Sequence, residues 1–293
     1  MQTKANNERL QAYTQAVEGY LTGCFAWPEE PQQQLFAAMR YSLLAGGKRL
    51  RPVYVLEYCR LCGGDWHAAL SFAAAIEMVH TYSLIHDDLP CMDNDDYRRG
   101  KPTNHKVFGE ANAVLAGDAL LTEAFGALAA AELPPERLVA GVRILSRAAG
   151  ALGMVGGQVL DLAAEEKAAA DAQDVYAIQA RKTGALIAAA CQLGVAAAGG
   201  SAAQMAAAEA YADHVGLAFQ IRDDILDVIG SQEKLGKATG MDEKKNTFVR
   251  HYGVARCEAM VEDETAQALR ALDCFQDRAF LTELSQSLVR RDH

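Results

Sequence analysis

The chain has 293 residues, 51% of them hydrophobic, with 38 acidic against 28 basic side chains and a formal net charge of −10. That apolar content supports a large core and excludes a disordered chain, while the acidic balance argues against nucleic acid as the main partner, which needs a basic face. Seven scattered cysteines, an odd number in a long chain, do not read as a disulfide framework, and the lone C-x-x-C of Cys59 and Cys62 lacks the second pair a structural zinc site needs.

The opening MQTKANNERLQAYTQ has no apolar signal-peptide core. Helices are expected over about 5–23 and 31–45. Gly46 and Gly47 end the second, and AGGKRLRP then sets Lys48, Arg49 and Arg51 beside flexible backbone. Three cations there suit a diphosphate, whose charge needs several donors; the spacing is not that of a Walker loop.

Helices are next expected over 52–62 and 66–88. The latter holds AAAIEMVHTYSLIHDD, where Ile76, Val79, Leu84 and Ile85 indicate burial. His80 and Asp87 lie seven apart, about two turns, and share a face. The following SLIHDDLPCMDNDDYRRGK crowds five aspartates into residues 87–96. Pro90 ends the regular helix and lets Asp93 fold back toward Asp87 and Asp88. Carboxylates this close repel unless a cation sits among them, and hard oxygens suit Mg²⁺. Taken alone, a solvated acidic turn explains the stretch equally well. Arg98, Arg99 and Lys101 follow at once.

Further helices are expected over 109–131, 135–149, 171–181, 183–198, 202–229, 248–271 and 277–291. No proline follows Pro135, and no alternating run is long enough for a sheet. The most apolar run, ALIAAACQLGVAAAGG, is interrupted by Gln192 and Gly194 and falls short of the roughly 20 residues of a bilayer span. With no repeat and no linker, a single all-α domain over 1–293 with no membrane span is expected, located in the cytoplasm. In LAFQIRDDILDVIG, Asp223 and Asp227 lie four apart on one helical face, with Asp224 beside them and Gln220 one turn earlier. Three carboxylates on so apolar a helix are costly unless paired or coordinated. Two acidic helix faces meeting across one cavity would explain both clusters, holding several Mg²⁺ ions and a diphosphate above apolar walls that accept a hydrocarbon. Lys182, Lys237, Lys244 and Lys245 lie in polar breaks.

In order and spacing, GGKRLRP, HDDLPCMDNDDYRRGKPTNHKVFGEANAVLAGDAL, GMVGGQVLDL, ARKTGALI and FQIRDDILD resemble the motifs of trans-isoprenyl diphosphate synthases, nearest to the short-chain farnesyl and geranylgeranyl enzymes. The resemblance covers nearly the whole chain. It implies a helical bundle of the isoprenoid synthase type around a central apolar cavity, a homodimer, and dependence on Mg²⁺, three ions per site with Mn²⁺ a possible substitute. It implies that Asp87, Asp88 and Asp93, with Asp223, Asp224 and Asp227, bind the metals on an allylic diphosphate. Lys48, Arg51, His80 and Arg99 would hold the diphosphate of isopentenyl diphosphate. Arg98, Lys182 and Lys245, with Lys237, would reach the allylic diphosphate. Thr183 and Gln220 would lie beside the developing cation, with Gln158 and Asp161 near the metals. The segment DEKKNTF is about two residues shorter than the family's D-x-x-x-x-K-x-T-[YF], which leaves Lys244 or Lys245 for that contact. Tyr82, five residues before Asp87, with Ser83 beside it, would cap the hydrocarbon tunnel and favour farnesyl diphosphate; LPCMDNDD also resembles geranylgeranyl-forming relatives. A terpene cyclase would need only one diphosphate and usually mixes Asn, Ser, Thr and Glu into its second motif. A non-catalytic partner subunit typically loses one acidic motif, and both are intact.

Overall fold

Nearly all regular structure is helical, as a proline-free second half rich in alanine dictates. The computed structural model describes residues 3–165, 171–235 and 247–290. In chain order, α1 (Lys4–Gly23), α2 (Gln33–Leu43) and α3 (Leu50–Leu61) lead through a 3₁₀ turn into α4 (Leu70–Asp87). A minimal hairpin, β1 (Tyr97–Arg98) on β2 (Lys101–Pro102), pairs Tyr97 with Pro102 and Arg98 with Lys101. Then come α5 (Asn104–Phe108), α6 (Glu110–Ala129), α7 (Pro135–Ala149), α8 (Met154–Glu165) and α9 (Ala172–Gln179). A π-helical turn at Ala180–Gly184 joins α9 to α10 (Ala185–Ala198), and α11 (Ala202–Leu235), α12 (Phe248–Tyr252), α13 (Val254–Ala271) and α14 (Ala279–Val289) complete the series.

The all-α expectation holds, with differences of detail. α8 covers MVGGQVLDL of the GMVGGQVLDL motif, where a pair of adjacent glycines hides a helix from propensity. Gly253, at φ +74°, splits the expected 248–271 helix into α12 and α13. The stretches Trp66–Asp87 and Pro135–Ala164 are apolar and long enough on composition to cross a membrane, against the expectation that none would be. The first is a core helix, 78% buried in the protein. The second is α7 and α8 interrupted at 150–153, and neither helix alone reaches the roughly 20 residues of a bilayer span.

The described chain forms two compact units. One comprises Glu8–Arg143 and Leu193–Gly199. Its α4 is buried along most of its length, including Phe72, Ile76, Val79 and Ile85, each worth roughly 1.5–3 kcal/mol when fully buried. Small residues on the facing α6, among them Ala113, Ala116 and Gly117, let the two helices approach closely. A Cβ at Gly117 would lie 2.1 Å from His86 Nε2. α3 is buried on all sides from Pro52 to Cys59, and its one buried carboxylate, Glu57, is satisfied by Arg60 at 2.7 and 2.9 Å and the Tyr13 hydroxyl at 2.8 Å. In the other unit, Val175 of α9, Ile221 and Ile225 of α11, Phe248 of α12 and Cys257, Met260 and Val261 of α13 form one apolar cluster.

Candidate active site

α4 delivers Asp87 at its last turn, and beyond Pro90 the chain doubles back. The Asp93 N–H donates to the Asp87 carbonyl at 2.8 Å and the Asn94 N–H to the Leu89 carbonyl at 3.1 Å. Asn94 adopts φ +53°, a left-handed conformation asparagine tolerates. Asp93 is thereby returned to the end of α4 and remains exposed. Asp88 differs. It is buried, and its carboxylate accepts hydrogen bonds from Arg98 Nε at 2.8 Å and Nη2 at 2.5 Å. Burial pushes the Asp88 pKa up against the opposing pull of Arg98.

Cations gather behind this turn. Arg99 donates from Nη1 to the Gly46 carbonyl. Gly47, at φ +130°, cannot be replaced freely, because a Cβ there would lie 2.9 Å from the Arg99 guanidinium carbon. His80 is half-buried, and its pKa is pushed well below the ordinary 6.5 by burial and then by Arg51, Arg99, Arg49 and Arg98, so the imidazole is neutral. Burial also lowers the Arg51 pKa. Among the described residues the buried Arg51 Nε has no hydrogen-bond partner. Lys48 is exposed. Arg49, one of three adjacent cations that all suit a diphosphate by sequence, is instead turned inward, and its guanidinium is spent on Glu18 and Glu77.

Tyr82 is buried beneath Asp87's end of α4, and its hydroxyl has no partner among the described residues. Burial and then Asp87 push its pKa up to about 12. Its ring meets His86 edge-on, with centroids 5.7 Å apart, and His86 Nε2 lies 3.0 Å from the Val114 carbonyl. Ser83 Oγ donates to the His80 carbonyl at 2.9 Å.

In the other unit, Lys182 and Thr183 sit on the π turn, a distortion often found at functional sites. α8 presses on that turn so closely that a Cβ at Gly157 would lie 2.3 Å from the Lys182 backbone nitrogen. One turn along α8, Asp161 accepts from Lys182 Nζ at 2.6 Å, and Gln158 is half-buried on the same helix. Gln220 of α11 donates to the Gln179 side chain at 2.7 Å. Asp223 is half-buried and Asp227 exposed. Asp224 is buried and accepts the Phe248 N–H, the first of α12, at 2.7 Å. Lys237, Lys244 and Lys245 lie outside the described residues.

Among the described residues no three His, Cys, Asp or Glu side chains are gathered closely enough to hold a metal by themselves. Mg²⁺ does not require that: it keeps several waters and takes one or two carboxylates plus substrate phosphate oxygens. The hard, neighbouring carboxylates of each motif fit this demand. Sequence reading missed the partners of the site residues: Glu18 and Glu77 for Arg49, Gln179 for Gln220, and the close approach at Gly157. Glu77 carried a signal, as the one acidic residue inside the apolar run before His80.

The polyprenyl synthetase family model matches residues 32–280. A farnesyl diphosphate synthase of Geobacillus stearothermophilus is 44% identical over 295 residues, covering 98% of this chain and 97% of that protein. A geranylgeranyl diphosphate synthase of Cyanophora paradoxa is 43% identical over 264 residues, 88% of each. The crystal structure of an FPP/GFPP synthase from Zymomonas mobilis superposes with a TM-score of 0.89 at 37% identity, covering 97% of this chain and 99% of that one. The chain belongs to the polyprenyl synthetase family and is a prenyltransferase of isoprenoid biosynthesis.

Proposed function

We propose that this prenyltransferase condenses isopentenyl diphosphate head to tail with dimethylallyl and geranyl diphosphates and releases mainly farnesyl diphosphate. Lys48, Arg51, His80 and Arg99 bind the diphosphate of isopentenyl diphosphate, the neutral His80 as a hydrogen-bond donor. Arg98 and Lys182, with Lys245 and Lys237, serve the allylic diphosphate. Asp87, Asp88, Asp93, Asp223, Asp224 and Asp227 would hold the Mg²⁺ ions. Asp88 and Asp224, engaged also with Arg98 and the Phe248 N–H, steady the two motifs as well. Bound Mg²⁺ supplies electrophilic assistance to a departing diphosphate.

The cations held in place by Asp88 and Asp161 stabilise charge building on the leaving group as the allylic C–O bond breaks. Thr183 and Gln220 turn their dipoles toward the allylic cation. The alkene of isopentenyl diphosphate, held alongside, attacks that cation to form the new C–C bond. The proton then lost goes to the released diphosphate, so no side chain need act as a dedicated base. Tyr82, with Ser83, limits the hydrocarbon and sets the fifteen-carbon product. The large apolar residues left exposed on α6 (Val114, Leu115) and α8 (Val155, Val159) support a homodimer, acting in the cytoplasm as one domain.

What supports the reading most is Arg51: a half-buried arginine whose buried Nε has no partner among the described residues, set among other cations, is costly unless an anion completes it. The test is incubation with Mg²⁺, isopentenyl diphosphate and each allylic primer, followed by product sizing. Farnesyl diphosphate should dominate, and Tyr82→Ala should lengthen the products. A wild-type geranylgeranyl product, favoured by the similarity to the Cyanophora enzyme, would overturn the length assignment alone. A cyclic product, or none with any primer, would overturn the condensation itself.

A further inference from the structure

Arg49 is 3% exposed and sits at φ +49° just before α3. That left-handed backbone turns its side chain inward while its neighbour Lys48 stays exposed. The guanidinium reaches three elements: Nε donates to Glu18 of α1 at 2.6 Å, Nη1 to Glu77 of α4 at 2.5 Å, and Nη2 to the carbonyl of Leu43, the last residue of α2, at 2.7 Å. Glu77, itself buried, stands one turn before His80 on α4. It is also the carboxylate whose charge acts most on Arg51 and Arg99. The charge of one buried carboxylate thus acts on Arg49 and Arg51 alike. Arg49 takes its hydrogen bond, and Arg51 keeps a bare Nε.

We infer that Arg49 is a positioning residue for isopentenyl diphosphate: by occupying Glu77 it keeps Arg51 from pairing there and leaves Arg51 to the diphosphate. The inference rests on the reading that Lys48, Arg51, His80 and Arg99 take that diphosphate. Without Arg49, Glu77 loses its hydrogen-bonded cation, and Arg51, on which its charge already acts, would be drawn to the carboxylate and away from the phosphate. Neutralising Glu77 as well removes the competitor, so the second substitution should repair the first.

Steady-state kinetics with isopentenyl and geranyl diphosphates on Arg49→Met, Arg51→Gln and the double variant Arg49→Met/Glu77→Gln test this. Arg49→Met is expected to raise the KM for isopentenyl diphosphate about tenfold, with kcat and the geranyl diphosphate KM within about twofold of wild type. Adding Glu77→Gln is expected to bring that KM back to within about threefold. An Arg49 that served only to hold the fold together would change kcat and both KM values together instead of raising the isopentenyl diphosphate KM alone. If Arg49→Met does not fold, Arg49→Gln with and without Glu77→Gln carries the same comparison, because glutamine keeps a donor and much of the bulk but loses the charge. An unchanged KM in the Arg49 variant, or no repair in the double one, overturns the inference while an impaired Arg51→Gln leaves the phosphate site standing. An Arg51→Gln enzyme with unchanged KM removes the phosphate site itself, and the inference with it.

Discussion

Replacing Gly157 by alanine would test whether close packing of α8 on the π turn sets the position of Lys182. The new Cβ would lie 2.3 Å from the Lys182 nitrogen, 2.7 Å from its Cα and 2.9 Å from the Arg181 carbonyl carbon. Carbon contacts are relaxed at about 3.5–4 Å, so the two segments must part by about 1 Å. Every atom met is backbone and cannot swing aside as a side-chain tip would. Such overpacking costs about 1–3 kcal/mol, and alanine's better helix propensity returns about 1 kcal/mol. The net loss of about 0–2 kcal/mol lowers Tm by no more than about 8 °C in a chain of this size. Activity is the more sensitive quantity, since the 2.6 Å contact of Lys182 with Asp161 must move with the turn. A misplacement of about 1 Å costs on the order of 100-fold, so kcat measured with labelled isopentenyl diphosphate should fall about 10- to 100-fold while the protein stays folded. Gly19→Ala, in a helix with open space around it, is the control; it should stabilise by about 0.5–1 kcal/mol and leave kcat alone. A Gly157→Ala enzyme with wild-type kcat would refute the reasoning.

Two further outcomes are expected. Asp224→Ala strands the buried Phe248 N–H and should cost about 1–3 kcal/mol in a denaturation experiment, whereas Asp224→Asn keeps an acceptor oxygen and should lose less; equal losses would deny the carboxylate its role at α12. His80 is neutral in the folded protein, while the unfolded chain binds a proton there below the ordinary 6.5. The unfolded state therefore gains protons as pH falls through 6.5 toward the depressed folded value, and stability drops by at most about 1.4 kcal/mol per pH unit. Denaturation between pH 7.5 and 5.5 should show this loss, and His80→Gln should shrink it; identical slopes would contradict a neutral buried imidazole.

What could be read from the sequence was whatever depends on spacing along a single segment. His80 and Asp87 share a face of α4 because seven residues make two turns, and Asp93 returns to Asp87 because Pro90 breaks the helix. What could not be read depends on contacts between segments. α8 has two adjacent glycines, and propensity argues against it, yet one of them is the residue that lets α8 seat on the π turn. Lys48, Arg49 and Arg51 are equivalent as a run of cations. Only the left-handed backbone at 49 and the carboxylates of α1 and α4 separate the guanidinium spent inside the protein from the other two cations.

The doubled aspartates make the same point chemically. Consecutive residues on a helix project about 100° apart, so the two members of an Asp-Asp pair meet different surroundings. In each motif the first member is half-buried at the rim, Asp87 in one and Asp223 in the other. The second is buried and already used: Asp88 grips Arg98, and Asp224 caps the start of α12. A buried carboxylate with a charged or N–H partner tolerates loss of that partner poorly, so these second aspartates fix the segments that follow them. Each second aspartate therefore serves the scaffold as well as adding charge to its motif: Asp88 fixes Arg98, and Asp224 fixes the start of α12.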